Sequence, residues 1–257
     1  MDKDFAPIKD FLDEKVIKYN CPAFIEEDPI SIPRLFTQRE DIEISGFLTA
    51  TIAWGQRKTI LKNARMLMEL MDMEPYNFVI NAGKRELMKL NGFVHRTFNT
   101  DDLMFFIQAL RNIYSKHNSM ECIFSQNSTS YFHAYESICN FHRVFFETPH
   151  LKRSVKHVSN PANGSAAKRI NMFLRWMVRN DNNGVDFGIW NTISPAHLQC
   201  PLDLHSGNVA RKLGLLTRKQ NDWKAVEELT NNLRQFDIED PIKYDFALFG
   251  LGVNKEI

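Results

Sequence analysis

Apolar positions recur along this chain at steps of three and four residues, the spacing that gathers them on one face of a helix. Phe5, Ile8, Phe11, Leu12, Val16 and Tyr19 predict a first amphipathic helix over 5–19, with Phe11, Leu12 and Val16 in the core. Three prolines and the run Glu26-Glu27-Asp28 make 20–33 a loop. Residues 38–53 form a second helix whose centre (Ile44, Phe47, Leu48, Ile52) is nearly all apolar, which predicts burial on several sides. Gln56 to Thr59 start a third, through Ile60, Ala64, Leu67, Met68 and Met71, and the methionines here are read as gap-filling core. Two short helical pieces fall in 75–90. Thr100-Asp101-Asp102 is an N-cap cluster for a helix over 103–117. Another helix is expected near 131–146, packing Phe132, Tyr135, Phe141 and Phe145. Asp222 caps a helix over 223–236, and Asp240-Pro241 begins the last, over 242–251. No segment alternates for long with period two, so the predicted fold is all-α.

The stretch from 160 to 213 is the richest in chemistry. Pro161 and Asn163-Gly164 favour a tight turn, and Ser165-Ala166-Ala167 leads into the periodic run from Ile170 to Val178. Lys168 therefore falls in the first turn of a helix, where the dipole's positive end disfavours a cation. A lysine so placed either neutralises a phosphate or acts as a nucleophile. Further on, Pro201 suits a chain entry and Asp203 stands one turn before Val209 and Leu213, as an N-terminal or N-cap acid. A lysine and an aspartate at two helix starts are the groups needed to break an N-glycosidic bond covalently: the amine attacks C1′ and the carboxylate stabilises the developing positive charge.

Gly164-Ser165-Ala166-Ala167-Lys168 resembles the hairpin signature of the helix-hairpin-helix DNA glycosylases, with Ala166 where a second glycine often stands. The stretch from Pro201 to Leu215 is similar to that superfamily's segment around its catalytic aspartate. Asp203, His205, Arg211, Leu213 and Gly214 match, and Asn208 replaces a frequent arginine. Residues 43–59 resemble its apolar helix ending in a glutamine-containing loop near the flipped base, and Gly92 to Asn99 a later segment with an aromatic and an arginine. The four segments occur in the superfamily's order. The 35 residues from Lys168 to Asp203 exceed the endonuclease III spacing and are nearer to the archaeal 8-oxoguanine glycosylases. The excess lies in 181–200, read as a polar loop with the short apolar piece Ile189-Trp190. The strings Lys168 to Met177 and Tyr244 to Gly252 resemble an uncharacterised bacterial family of about this length.

The resemblance implies a two-lobed helical fold with a cleft between the lobes, one lobe of about 38–150 and the other of about 1–37 and 151–257. It implies Lys168 and Asp203 as catalytic residues. Gly164, Ser165, Ala166, Arg169, His205, Arg211, Gln56 and Arg57 would contact nucleic acid, and Trp54, Gln56 and Trp190 would line a base pocket. The implied partner is damaged double-stranded DNA.

Composition narrows this picture further. At 257 residues the chain can bury a full core, and its 20 phenylalanines mark a globular protein. It has no apolar run long enough for a membrane span and no secretory leader, so a cytoplasmic protein with no membrane partner is expected. Cys21, Cys122, Cys139 and Cys200 are scattered, which argues against a zinc ribbon or a four-cysteine iron–sulfur cluster. No metal or cofactor is expected, and the widely spaced His133 and His142 are read as structural. The net charge is only +1, but 151–219 holds eleven lysines and arginines against three acids. That segregation predicts a basic face for phosphate binding, against the plainer alternative of a solvated helix face. Two rival readings stay open: a non-catalytic nucleic-acid-binding protein that keeps the fold, and a protein-interaction scaffold.

Overall fold

The computed structural model describes residues 6–125 and 133–257. Among the described residues twelve α-helices run in order: α1 (Ala6–Tyr19), α2 (Arg39–Ile52), α3 (Arg57–Leu70), α4 (Pro75–Asn81), α5 (Lys84–Met88), α6 (Thr100–Lys116), α7 (Met120–Ser125), α8 (Ala134–Phe145), α9 (Lys168–Val178), α10 (Leu204–Lys212), α11 (Trp223–Arg234) and α12 (Tyr244–Val253). The chain divides into two units, one of Met1–Ile25 with Pro161–Ile257 and one of Glu26–Asn160. Residues 26–37 and 151–160, expected with the hairpin, thus belong with the central helices.

In the unit of 26–160, every residue of α2 from Ile42 to Ile52 is buried, because a helix apolar on all sides finds partners on all sides. Phe47 lies at its centre, stacked on Phe106 and edge-on to Phe141 and Phe145. Glu43 is carried into this core with its charge satisfied: Arg39 and the Tyr114 hydroxyl donate to it, as does the amide of Met120. Helix α6 is capped by Asn99 rather than by Thr100, and Asp102 completes a capping box. Asp102 is buried and also accepts from Ser154 and Arg153. Just before α6, Val94–His95 pairs antiparallel with Phe98–Asn99. The described residues are mostly helical, as the expected all-α class requires, and this two-stranded hairpin is the one sheet among them; its strands are too short for alternation to show.

In the other unit α12 is buried along most of its length and packs against both α1 and α10. Two glycines permit those close approaches. A side chain at Gly250 would collide with the Tyr19 ring of α1, and one at Gly252 would lie 3.0 Å from the His205 carbonyl oxygen of α10. Leu12 and Val16 are buried as expected, whereas Phe11 is only half-buried. The segment 181–200 is not a polar excursion: Val185, Asp186, Trp190, Ile193, Leu198 and Cys200 are all buried. Ahead of the turn at Pro161–Asn163 the chain forms a 3-10 segment, Lys152–His157, and not an α-helix. The expected packing of Phe132 lies outside the described residues. Among the described residues no helix is long and apolar enough to cross a membrane.

Truncating Phe47 removes the ring at the centre of the aromatic cluster without a small residue to fill the space. Phe47→Ala is expected to cost about 3–5 kcal/mol in urea unfolding, and a loss below about 1 kcal/mol would contradict this placement.

Candidate active site

The turn that opens α9 is built by Gly164 and Ala167, both with positive φ, +78° and +46°. Gly164 donates its amide to Pro161, and its carbonyl accepts from Trp223 at the start of α11. Ser165 bridges to Asp222, and its hydroxyl accepts from the amide of Ala167. Two of the turn's N–H groups are thus engaged internally. Lys168 is the first residue of α9. Its side chain lies along the helix, so the ammonium sits beside Met172 Sδ at 3.3 Å and 6.0 Å from the Phe249 ring centroid.

Asp203 is the N-cap of α10. Its Oδ1 accepts from the Ser206 amide at 3.0 Å, and its own amide donates to the Ser206 hydroxyl. Capping with one oxygen orients the other: Oδ2 faces Lys168 Nζ at 3.9 Å. That distance is an ion pair rather than a hydrogen bond. Each side chain is about a quarter exposed, at 26% and 24%, so the pair is open to solvent. Position 205 falls on the same side, with the His205 ring 6.4 Å from Phe249.

Behind this pair lies a buried ionic network that the sequence concealed. Arg175, two turns along α9 from Lys168, is 3% exposed. It donates to Asp245 of α12 and, at 3.2 Å, to Asp186 of the 181–200 segment. Arg179, 2% exposed, pairs with Asp186, Asp240 and Asp181. Both guanidiniums lie over Phe246. Burial pushes the Asp245 carboxyl up to about 6; Arg175 and Lys168 pull it down, and the Asp203 charge adds to the rise. Burial likewise holds the Cys200 thiol well above its usual range, with Asp245 and Asp203 adding to it. Asp245 and Arg175 lie close enough to the pair for Lys168 and Asp203 to act on the Asp245 carboxyl, yet neither stood out in the sequence as chemistry.

The other expected site residues scatter. Ala166 is buried, and Arg169 is half-buried with its guanidinium lowered to about 10 by desolvation. Arg211 donates to the Arg218 carbonyl and the Asn221 side chain, so it ties α10 to the following turn. Trp190 is 1% exposed and packs edge-on to Phe173, so it is a core ring with no face for a base. Gln56, Arg57 and Trp54 lie in the unit of 26–160. Gln56 stands at the N-cap of α3 but makes no side-chain cap bond, and Arg57 is 3.6 Å from Glu27. Trp54 carries the Arg96 guanidinium over its ring at 4.5 Å. The basic face is also smaller than expected, because Arg175 and Arg179 are spent on internal ion pairs and Arg218 is held by Asp222. Among the described residues no group of three or more His, Cys, Asp and Glu could hold a metal ion.

The raised Asp245 carboxyl has a signed consequence. Its proton is held more tightly in the folded protein than in the unfolded chain. The stability it contributes is therefore complete below about pH 4 and lost as pH rises through about 6. Relative to Asp245→Asn, the wild type is expected to lose on the order of 1–3 kcal/mol between pH 4 and pH 7 in urea unfolding. A difference that stays flat across that range would contradict the assignment.

No curated protein and no solved structure matches the chain. A family match does cover residues 28–254, which takes in α2 to α12 and so Lys168, Asp203 and the ionic network behind them. The chain belongs to the DUF2400 family, described as a protein of unknown function.

Proposed function

We propose that the protein is a DNA N-glycosylase with an associated lyase step, acting on an oxidised base such as 8-oxoguanine. The observation that supports this reading is the meeting of Lys168 Nζ and Asp203 Oδ2 at 3.9 Å, across 35 residues of sequence and on a solvent-open face. In the reaction the Lys168 ammonium first gives one proton to solvent, and the free amine bonds to C1′ of the damaged nucleotide as the N-glycosidic bond breaks. The departing base leaves with the bonding electrons and takes up a proton. The proton lost by the amine passes to the Asp203 carboxylate, which first stabilises the positive charge growing on the sugar. Ring opening breaks the C1′–O4′ bond, with O4′ taking the proton now on Asp203 and the nitrogen lone pair forming the iminium that permits strand cleavage by elimination.

The turn at Pro161–Ala167 and the side chains of Arg169, His205 and Arg211 are proposed to hold the backbone near this pair. Within the unit of 26–160, Gln56 and Arg57 at the start of α3 and Trp54 just before it are proposed as nucleic-acid contacts in their own right, an amide, a cation and an indole. Trp190 drops out of the base pocket because its ring is enclosed. The fixed orientation of Asp203 favours catalysis over mere binding, since a carboxylate aimed at an amine adds nothing to phosphate affinity.

Borohydride trapping on a duplex with one 8-oxoguanine tests the reading. The wild type is expected to give a covalent protein–DNA adduct, Lys168→Gln none, and Asp203→Asn about a hundredfold less. An adduct undiminished in Lys168→Gln would refute the lysine assignment. Salt-sensitive binding with no base release by the wild type would replace the enzyme with a binding protein.

A further inference from the structure

The geometry around α9 and α12 points to a second layer of the site, an inference that rests on the proposed reaction at Lys168. Lys168, Met172 and Arg175 stand at i, i+4 and i+7 on α9, and so share one face of that helix. Asp245 and Phe249 stand at i and i+4 on α12 and share another. The two faces meet twice: Arg175 donates to Asp245, and the Lys168 ammonium lies by the Phe249 ring. Fixing the first contact fixes the second. We propose that Asp245 is a positioning residue for Lys168: joined to Arg175, it locks α9 against α12 in the register that sets the amine beside Phe249, Met172 and Asp203, and it does so only while ionised.

The surroundings of Asp245 support an acid that changes charge near neutrality. It is 5% exposed, and desolvation raises its carboxyl to about 6 despite the guanidinium beside it. From α9, Arg175 and Lys168 both act on it. From the start of α10 and the segment before it, Asp203 and the Cys200 thiol face the same space. The other charged groups near α12 are engaged elsewhere. Asp13 of α1 accepts from the Tyr244 hydroxyl, Lys15 and Lys18 of α1 pair with Glu256, Lys243 pairs with Asp237, and Asp240 pairs with Arg179. Asp186 faces Arg175 from the segment after α9, and His205 of α10 faces Phe249, so a probe at this site also senses His205. When Asp245 takes up a proton, Arg175 keeps its bond to Asp186 and loses its ionic hold on α12.

Met172 supplies a probe that does not depend on activity, because its sulfur is 3.3 Å from Lys168 Nζ. The methyl resonance of Met172 is followed by NMR from pH 4.5 to 8 in the full chain and in His205→Gln, Asp245→Asn and Arg175→Lys. A midpoint near 6 is expected in the wild type and in His205→Gln, with no transition there in Asp245→Asn. Arg175→Lys keeps a cation but loses the planar donor, so its midpoint is expected to move upward. In parallel, borohydride trapping on the 8-oxoguanine duplex is expected to fall in the wild type as pH drops through the same midpoint. Asp245→Asn should trap roughly tenfold less at pH 7.5 and lack that limb. An unchanged methyl midpoint in Asp245→Asn overturns the positioning role, as does loss of the transition in His205→Gln. Should Asp245→Asn fail to fold, an unmoved midpoint in Arg175→Lys overturns it instead. A wild type that shows the methyl transition but traps nothing at any pH would reject the glycosylase reading and leave the coupling of Asp245 to Lys168 standing.

Discussion

The ion pairs of Arg175 and Arg179 are the constraint on which the unit of α1 and α9–α12 depends. Two guanidiniums enclosed to within a few per cent of full burial must be matched by carboxylates, because an unmatched buried charge costs several kcal/mol. The carboxylates come from three places: Asp181 and Asp186 in the segment after α9, Asp240 before α12, and Asp245 within it. Together these pairs tie α9 and its C-terminal end to three stretches of chain. The segment 181–200 is drawn inward by Asp186, and with it Trp190 and Cys200 become core. Helix α12 is held at Asp245, so Phe249 one turn further on comes beside Lys168.

The network is costly as a source of stability and valuable as a source of geometry. Well-packed apolar residues of the same volume often stabilise a fold as much as or more than buried ion pairs do. What the ion pairs add here is a fixed register, since Arg175 is matched to Asp186 and Asp245 while Arg179 is matched to Asp181, Asp186 and Asp240. A lysine and an aspartate from separate helix starts then meet without contributing to each other's placement. Asp203 is oriented by its own capping box, and Lys168 by the turn that Gly164 and Ala167 make possible. Their 3.9 Å separation results from two local motifs carried on one rigid base.

Much of this was legible in advance. The capping acids Asp203 and Asp222 announced α10 and α11, and apolar spacing located α2, α3 and α6 to within a few residues. The approach of Lys168 to Asp203 was an expectation from the resemblance to the helix-hairpin-helix glycosylases, since a place at a helix start says nothing of which other helix start lies beside it. The second layer was not legible, for a physical reason. Arg175 and Arg179 count as surface charge in any reading by composition, and only a fold reveals that acids distant in sequence neutralise them. Helix α9 is buried from Ile170 to Val178 on every side, so the polar stripe of Lys168, Asn171 and Arg175 read as a solvent face although Arg175 is enclosed. Asp186 and Trp190 sat among asparagines and glycines that read as a solvated loop. Asp245 sat in an apolar string that read as core. The two-residue strands before α6 are shorter than any period that could reveal them.

Membership of the DUF2400 family covers the residues that build both layers but assigns them no task, so the chemistry has to be argued from the site. An amine and a carboxylate at 3.9 Å, each about a quarter exposed, are the observation on which the proposed covalent chemistry at a sugar carbon rests. The most direct measurement is peptide mapping by mass spectrometry of the borohydride-reduced protein after incubation with 8-oxoguanine duplex. The sugar remnant is expected on the peptide carrying Lys168 and on no other. A remnant on a different lysine or on the terminal amine, with Lys168 unmodified, would contradict the assignment.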